Sequence, residues 1–224
     1  MPVYLNGDAS DELINSNPFA LVAGMLFDQR VSLEWAFRAP ATLQQRMGHF
    51  EVSRIAAMAT DDVVAVAQQK PAVHRFPVAM ARRLHAIAVY IVERYGGDTA
   101  SIWTTARSGK ELYRRLRELP GFGEEKAQIF IALLAKRFDV RPPGWKAAAG
   151  VFADRTPRSV ADCADAASLA QVRRWKTAQK AAQKDKQDRP LKAPPLKPAP
   201  IEPVPIEPAP LRPAPIEPAP PGRA

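Results

Sequence analysis

Leu119-Pro120-Gly121-Phe122-Gly123-Glu124-Glu125-Lys126-Ala127 lies between two helical patterns. Upstream, Lys110 to Glu118 places Leu112, Tyr113 and Leu116 on one helix face. Downstream, Ala127, Phe130, Ile131, Leu133 and Leu134 predict a more fully buried helix. The join is too short for an ordinary loop and sets a glycine on each side of Phe122. Glycines there permit left-handed or close-packed backbone. They also leave the N–H groups of the hairpin, and of the next helix's first turn, open to an anion. A Gly-x-Gly between helices also suits a plain tight turn, so the rest of the chain has to be consulted.

The 224 residues are 46% hydrophobic and 25% charged, enough for one domain of ordinary size. The formal charge of +9 is uneven: +3 over residues 1–172, +4 over 173–188 and +2 over 189–224. The expected folded part is therefore only mildly basic, and much of the excess sits on a C-terminal extension. A basic balance fits a nucleic-acid partner and also general solubility. The single cysteine, Cys163, excludes an internal disulfide and suits a reducing, cytoplasmic compartment. Met1 to Asp8 has neither a basic start nor a long apolar run, so no signal peptide is expected. No stretch approaches the ~18 apolar residues of a membrane span.

Helical patterns fill the chain. Asn17 and Pro18 read as cap and first turn of a helix over 17–27 that is apolar nearly all round. It ends near Asp28-Gln29-Arg30. Ser32 caps a second helix with Leu33, Trp35, Ala36 and Phe37 inside, and Ala39-Pro40-Ala41-Thr42 reads as a break. Short helical segments follow at 43–47, 51–57 and 61–69. Pro71 and Pro77 bracket a loop holding His74-Arg75-Phe76. Val78 to Arg94 is a long amphipathic helix stopped by Gly96-Gly97. A short turn over 100–103, the pair of helices over 110–136, a segment at 145–150 and a last helix from about 168 to 186 complete the pattern. No strand alternation is visible, so an all-α globule is expected. Residues 173–188 read as a basic helix or arm. After Arg189 the chain repeats Pro-Ile-Glu-Pro units at 200–203, 205–208 and 215–218, which cannot build a core. A disordered Pro-rich tail over 189–224 is expected, serving as a spacer or as a ligand for a proline-reading protein partner.

The ordered string Leu-Pro-Gly-Phe-Gly, followed by a lysine and an alanine, reads as a helix-hairpin-helix that grips a nucleic-acid phosphate through backbone amides. It resembles the hairpin of the HhH-GPD superfamily of base-excision DNA glycosylases, which includes endonuclease III. The resemblance spans roughly residues 16–150. It implies a two-lobed all-α globule with a cleft, and a double-stranded DNA partner carrying a damaged or mispaired base. Gln29, after the first long helix, matches a family glutamine that fills the space left by an extruded nucleotide; an amide can donate and accept against the widowed base. Arg75-Phe76-Pro77 running into Met80-Ala81-Arg82-Arg83-Leu84 resembles the segment that crosses a loop into the helix before the hairpin. In the hairpin, Gly121, Phe122 and Gly123 would meet the phosphate and Lys126 would add charge. Glu124 and Glu125 suit a helix N-terminus through its dipole but repel a phosphate.

The chemistry departs from the family. Bifunctional members carry a Schiff-base lysine two residues after the second hairpin glycine, where this chain has Glu125. Lys126 is displaced about 100° around the helix. A glutamate forms no imine, so strand cleavage by that route is not expected. The family aspartate that stabilises an oxocarbenium-like sugar falls by count on Pro143, and the nearest carboxylate is Asp139, the catalytic candidate. One cysteine cannot hold the four-thiolate iron-sulfur cluster of many endonuclease III relatives. His49, His74 and His85 lack ligand spacing, no Walker-type loop is present, and neither metal nor cofactor is expected. The expected function is a base-excision repair protein, a DNA N-glycosylase acting by hydrolysis without a lyase step. The alternatives are a catalytically silent DNA-binding protein of the same fold, or an adaptor acting through its tail.

Overall fold

The computed structural model describes residues 2–187. Eleven α-helices run in chain order: α1 Ala9–Ser16, α2 Pro18–Phe27, α3 Leu33–Met47, α4 Val52–Ala57, α5 Thr60–Gln68, α6 Pro77–Tyr95, α7 Ser101–Thr104, α8 Gly109–Arg117, α9 Glu124–Arg137, α10 Trp145–Ala149 and α11 Ala166–Gln187. Two 3₁₀ turns, Gly150–Ala153 and Val160–Asp162, lie between the last two. No strand occurs among the described residues, and the all-α expectation holds. The Pro-rich segment 189–224 lies outside the described residues.

Two helices make the centre. Nine of the ten residues of α2 are buried, so it has no solvent face. Asn17 caps it as expected, its Oδ1 accepting from the amides of Phe19 and Ala20 at 2.9 and 3.1 Å. α9 buries Ala127 and Ile129 through Ala135 in one run. α3 packs across α2, α4 and α5 pack on α6, and α8 and α10 pack on α9. Gly24 lets α2 and α3 approach, because a Cβ there would lie 2.4 Å from the Phe37 ring. The hairpin therefore stands on the best-packed part of the chain.

Several local expectations are corrected. α3 runs unbroken through Pro40. Burial of Phe37, Pro40 and Leu43 against the neighbouring helices outweighs the one backbone bond that a proline deletes. Trp35, expected inside, is 42% exposed. α1 had no expectation at all. It is started by Asp8, whose carboxylate accepts from the Ser10 amide at 2.9 Å. Buried Asp11 then accepts the amides of Leu5, Asn6 and Gly7 at 2.9–3.2 Å, folding residues 5–7 onto the helix. The Tyr4 amide donates to the Cys163 carbonyl at 3.1 Å, joining the two ends of the globule. Residues 1–186 form one compact unit, and the boundary expected at 172/173 falls inside α11. Arg173 on that helix donates to Glu34 of α3 at 2.6 Å.

Gly24→Ala should destabilise the chain by about 1–3 kcal/mol, because the buried Phe37 ring has nowhere to retreat. Denaturant unfolding reads this directly; unchanged stability would contradict the α2–α3 packing.

Candidate nucleic-acid interface

The hairpin between α8 and α9 is built by three residues with different tasks. Phe122 is only 5% exposed and meets Phe130 edge-on with centroids 6.0 Å apart. It is an anchor of the hairpin, its ring is buried, and its amide donates to the Leu119 carbonyl at 3.0 Å. Gly121 sits at φ +84°, and a Cβ there would press on Leu26 and Arg83 at 3.0 and 3.3 Å. Its glycine is a demand of the fold. Gly123 has extended backbone, φ −79° and ψ 179°, and a Cβ there would meet nothing within 4 Å. Space on the outer side of Gly123 is thus kept open.

Gly123 is the N-cap of α9 and offers no side chain to cap it. Among the described residues, nothing accepts from the amides of Gly123 to Lys126, which all precede the first α9 bond from Ala127 to the Gly123 carbonyl. Four aligned donors with the positive end of a 14-residue helix behind them favour an anion.

Lys126 does not face that anion. Its ammonium turns inward and donates to the carbonyls of Met25 and Leu26 at 2.7 and 2.6 Å. These are last-turn acceptors of α2 with no helical partner of their own. Burial drags the Lys126 ammonium down to about 8, against the opposing carboxylates of Asp28 and Glu125. Its expected role as added charge at the phosphate is corrected to that of a cross-link between α9 and α2.

Gln29 and the hairpin open onto the same cleft, of about 1220 Å³, together with Arg83, Lys126, Phe152 and Trp175. Gln29 is exposed, and its Oε1 accepts from Arg83 Nη1 at 2.9 Å. Its backbone carbonyl meets His74 Nε2 at 3.1 Å, while His74 Nδ1 accepts the Phe76 amide at 3.0 Å. A carbonyl only accepts and an amide only donates, so the proton is on Nε2 and the ring is neutral. Burial holds His74 below its ordinary value, consistent with that state. The neutral ring latches the Gln29 turn to the 74–76 loop.

The latch also carries two exposed aromatics, neither of which the sequence marked as a binding side chain. Phe76 is 40% exposed, with the Arg75 guanidinium 5.5 Å from its centroid, and Trp35 lies 6.3 Å from the His74 ring. Exposed aromatics beside arginines suit stacking on bases. Across the cleft, Arg158 lies 5.8 Å from the Trp175 ring, so α11 contributes to the wall. Their signal was present as Phe and Trp in polar surroundings, but such residues read equally well as core.

Asp139 is outside this cleft. Its carboxylate is 83% exposed and pairs with Arg141 at 3.1 Å, at a left-handed φ of 59°. The catalytic expectation for Asp139 is thereby corrected. The cleft carboxylates are Asp28, Glu118, Glu124 and Glu125, against the cations Arg83, Arg117, Lys126, Arg158 and Lys176. Glu118 is engaged by Tyr90 and Arg114 at 3.0 and 2.6 Å. Burial pushes the Cys163 thiol up to about 12, so it is no nucleophile. Among the described residues, no group of three His, Cys, Asp or Glu side chains is placed to hold a metal, and no helix is long and apolar enough to cross a membrane.

No family model, curated protein or solved structure matches the chain.

The cross-link has a pH signature. With Lys126 at about 8 in the fold and 10.5 as the ordinary value, the unfolded chain binds more protons between those limits. Stability should therefore rise as pH goes from 8 to 10.5, by on the order of 3 kcal/mol. The slope difference between the wild type and Lys126→Met in denaturant unfolding isolates this group. Parallel slopes would show that the ammonium is not buried as described.

Proposed function

We propose that this chain is a base-excision repair protein that binds damaged duplex DNA through the α8–α9 hairpin. The observation that carries the reading is the uncapped N-terminus of α9 beside an open Gly123, lining the same cleft as Gln29. The amides take a backbone phosphate, which fixes position without reading sequence. Gln29, held by Arg83, supports the gap left by an extruded nucleotide, and Phe76 with Arg75 supplies a stacking surface beside it. The cleft between Phe152, Trp175 and the hairpin receives the extruded base.

Base removal in this cleft is hydrolytic. Glu125 occupies the position from which a lysine would form an imine, and the Lys126 amine is committed to two carbonyls. A carboxylate is needed against the developing sugar cation, and Asp28, Glu124 and Glu125 are the three in the cleft that no side-chain hydrogen bond engages among the described residues. The placement of Asp139 outside the cleft favours a second reading, DNA binding without catalysis.

Gly123→Val tests the central contact, since a Cβ at Gly123 meets no protein atom and the fold is spared. Affinity for all duplexes should fall alike in a variant with unchanged thermal unfolding. Normal binding by this variant would remove the hairpin from the interface. In parallel, a panel of damaged-base duplexes should show base release revealed by alkali and no borohydride-trapped adduct. One of Asp28→Asn, Glu124→Gln and Glu125→Gln should then lower release by about 10²-fold. Absence of release from every lesion, with binding intact, would establish the silent reading.

A further inference from the structure

α9 has a second charged end. Its last residues, Lys136 and Arg137, open onto a groove of about 670 Å³, walled by Arg141, Trp145, Lys146 and the loop carrying Arg155. The acids in this lining are Asp154 and Asp162, and both are used up within the wall. Asp162 accepts from Lys136 Nζ at 2.7 Å and, through its other oxygen, from the amides of Arg158 and Ser159 at 3.0 and 3.1 Å. Asp154 accepts from the Thr156 amide at 2.8 Å and pairs with Arg158. Lys136 also donates to the Asp154 carbonyl at 2.6 Å, which pins the loop to the helix. Arg141 is held by the Ala135 carbonyl at 3.0 Å and by Asp139.

Three cations are left over. The ion pairs at this surface employ Lys136, Arg141 and Arg158; Arg137, Lys146 and Arg155 enter none among the described residues. Arg137 is half-buried, and its Nε is buried with no acceptor. The guanidinium fork suits a phosphate or carboxylate. Half-buried Trp145 sets an aromatic surface beside the cations, which suits a nucleic-acid strand better than an acidic peptide.

The groove and the hairpin are the two ends of one helix. Fourteen residues of α9 span about 21 Å, which is about six base pairs of duplex axis.

We infer that this groove is a second phosphodiester-binding site, in which Arg137, Lys146 and Arg155 hold the same nucleic acid about six base pairs from the hairpin. It rests on the reading of the hairpin as a DNA contact. The two contacts fix the direction of the duplex along α9, which one phosphate contact cannot do.

The test is fluorescence anisotropy over a salt series, with duplexes of about 20 and about 6 base pairs, the longer reaching both sites. Arg137→Gln/Lys146→Gln/Arg155→Gln should reduce the slope of log affinity against log salt on the long duplex by about 2–3, as three lost phosphate contacts require. On the short duplex the slope should stay near that of the wild type. Lys146→Gln/Arg155→Gln, which changes exposed side chains alone, should reduce the long-duplex slope by about 2 and covers the case of a misfolded triple variant. Unchanged slopes while Gly123→Val still weakens binding would overturn the groove and leave the hairpin. Reduced slopes with Gly123→Val binding normally would support the groove and remove the hairpin. Polyglutamate captured by the wild type and lost in the triple variant, with DNA slopes unchanged, would overturn the proposal in favour of an acidic protein partner. No DNA binding by the wild type would overturn both sites.

Discussion

The interface depends on one ammonium group. Lys126 donates to the Met25 and Leu26 carbonyls, and so ties the first turn of α9 to the last turn of α2 across about a hundred residues of chain. The Gln29 side of the cleft and the hairpin are placed by that join. The Gln29 turn follows α2 immediately, and the hairpin precedes α9 immediately. Gly121 then lets Leu26 and Arg83 close against the turn, where any side chain would push them away. Arg83 in turn holds Gln29. The cost of burying a cation is accepted because two orphan carbonyls gain a donor and two nearby carboxylates oppose its loss of charge.

The two hairpin glycines answer different physical demands. Gly121 is required by backbone conformation and by its neighbours, whereas Gly123 is required by neither. An unstrained residue facing open space at the cap of a major helix forgoes a Ser, Thr or Asp that would be worth about 1 kcal/mol of capping. Such a choice is understandable where another group supplies the cap. The electrostatics set a bound on affinity. Glu124 and Glu125 flank the amides, and the cleft has five cations against four carboxylates. Strong attraction to a polyanion must then come from elsewhere on the surface, and the uncompensated cations at the far end of α9 are placed to provide it.

Much of the scaffold was legible because its signals are local. Asn17, Pro18, Ser32 and the hairpin string each act within a few residues, and the elements start where those residues stand. Pro40 misled because its local penalty is overridden by burial that only the tertiary fold creates. Trp35 misled for a similar reason: an aromatic reads alike in a core and on an exposed face, and only the neighbours decide. Lys126 is the clearest case. Its position beside the glycines suggested charge for a phosphate, but the carbonyls that it serves lie in a distant segment. Asp139 was located by counting along the chain, and a left-handed turn at that residue sends its carboxylate to solvent. Asp8 is an N-cap of the same kind as Asn17 and Ser32, whereas Asp11 folds residues 5–7 back through their backbone amides, a contact that leaves no periodic pattern.

The central claim is that the free amides at the start of α9 hold a phosphate. Its most direct measurement is a backbone amide chemical-shift titration of the full chain with an abasic-site duplex. The largest changes should fall on the amides of Gly123 to Lys126, with Gln29 and Phe76 following at the same apparent affinity. Changes that leave these amides still while the duplex binds elsewhere would contradict the claim.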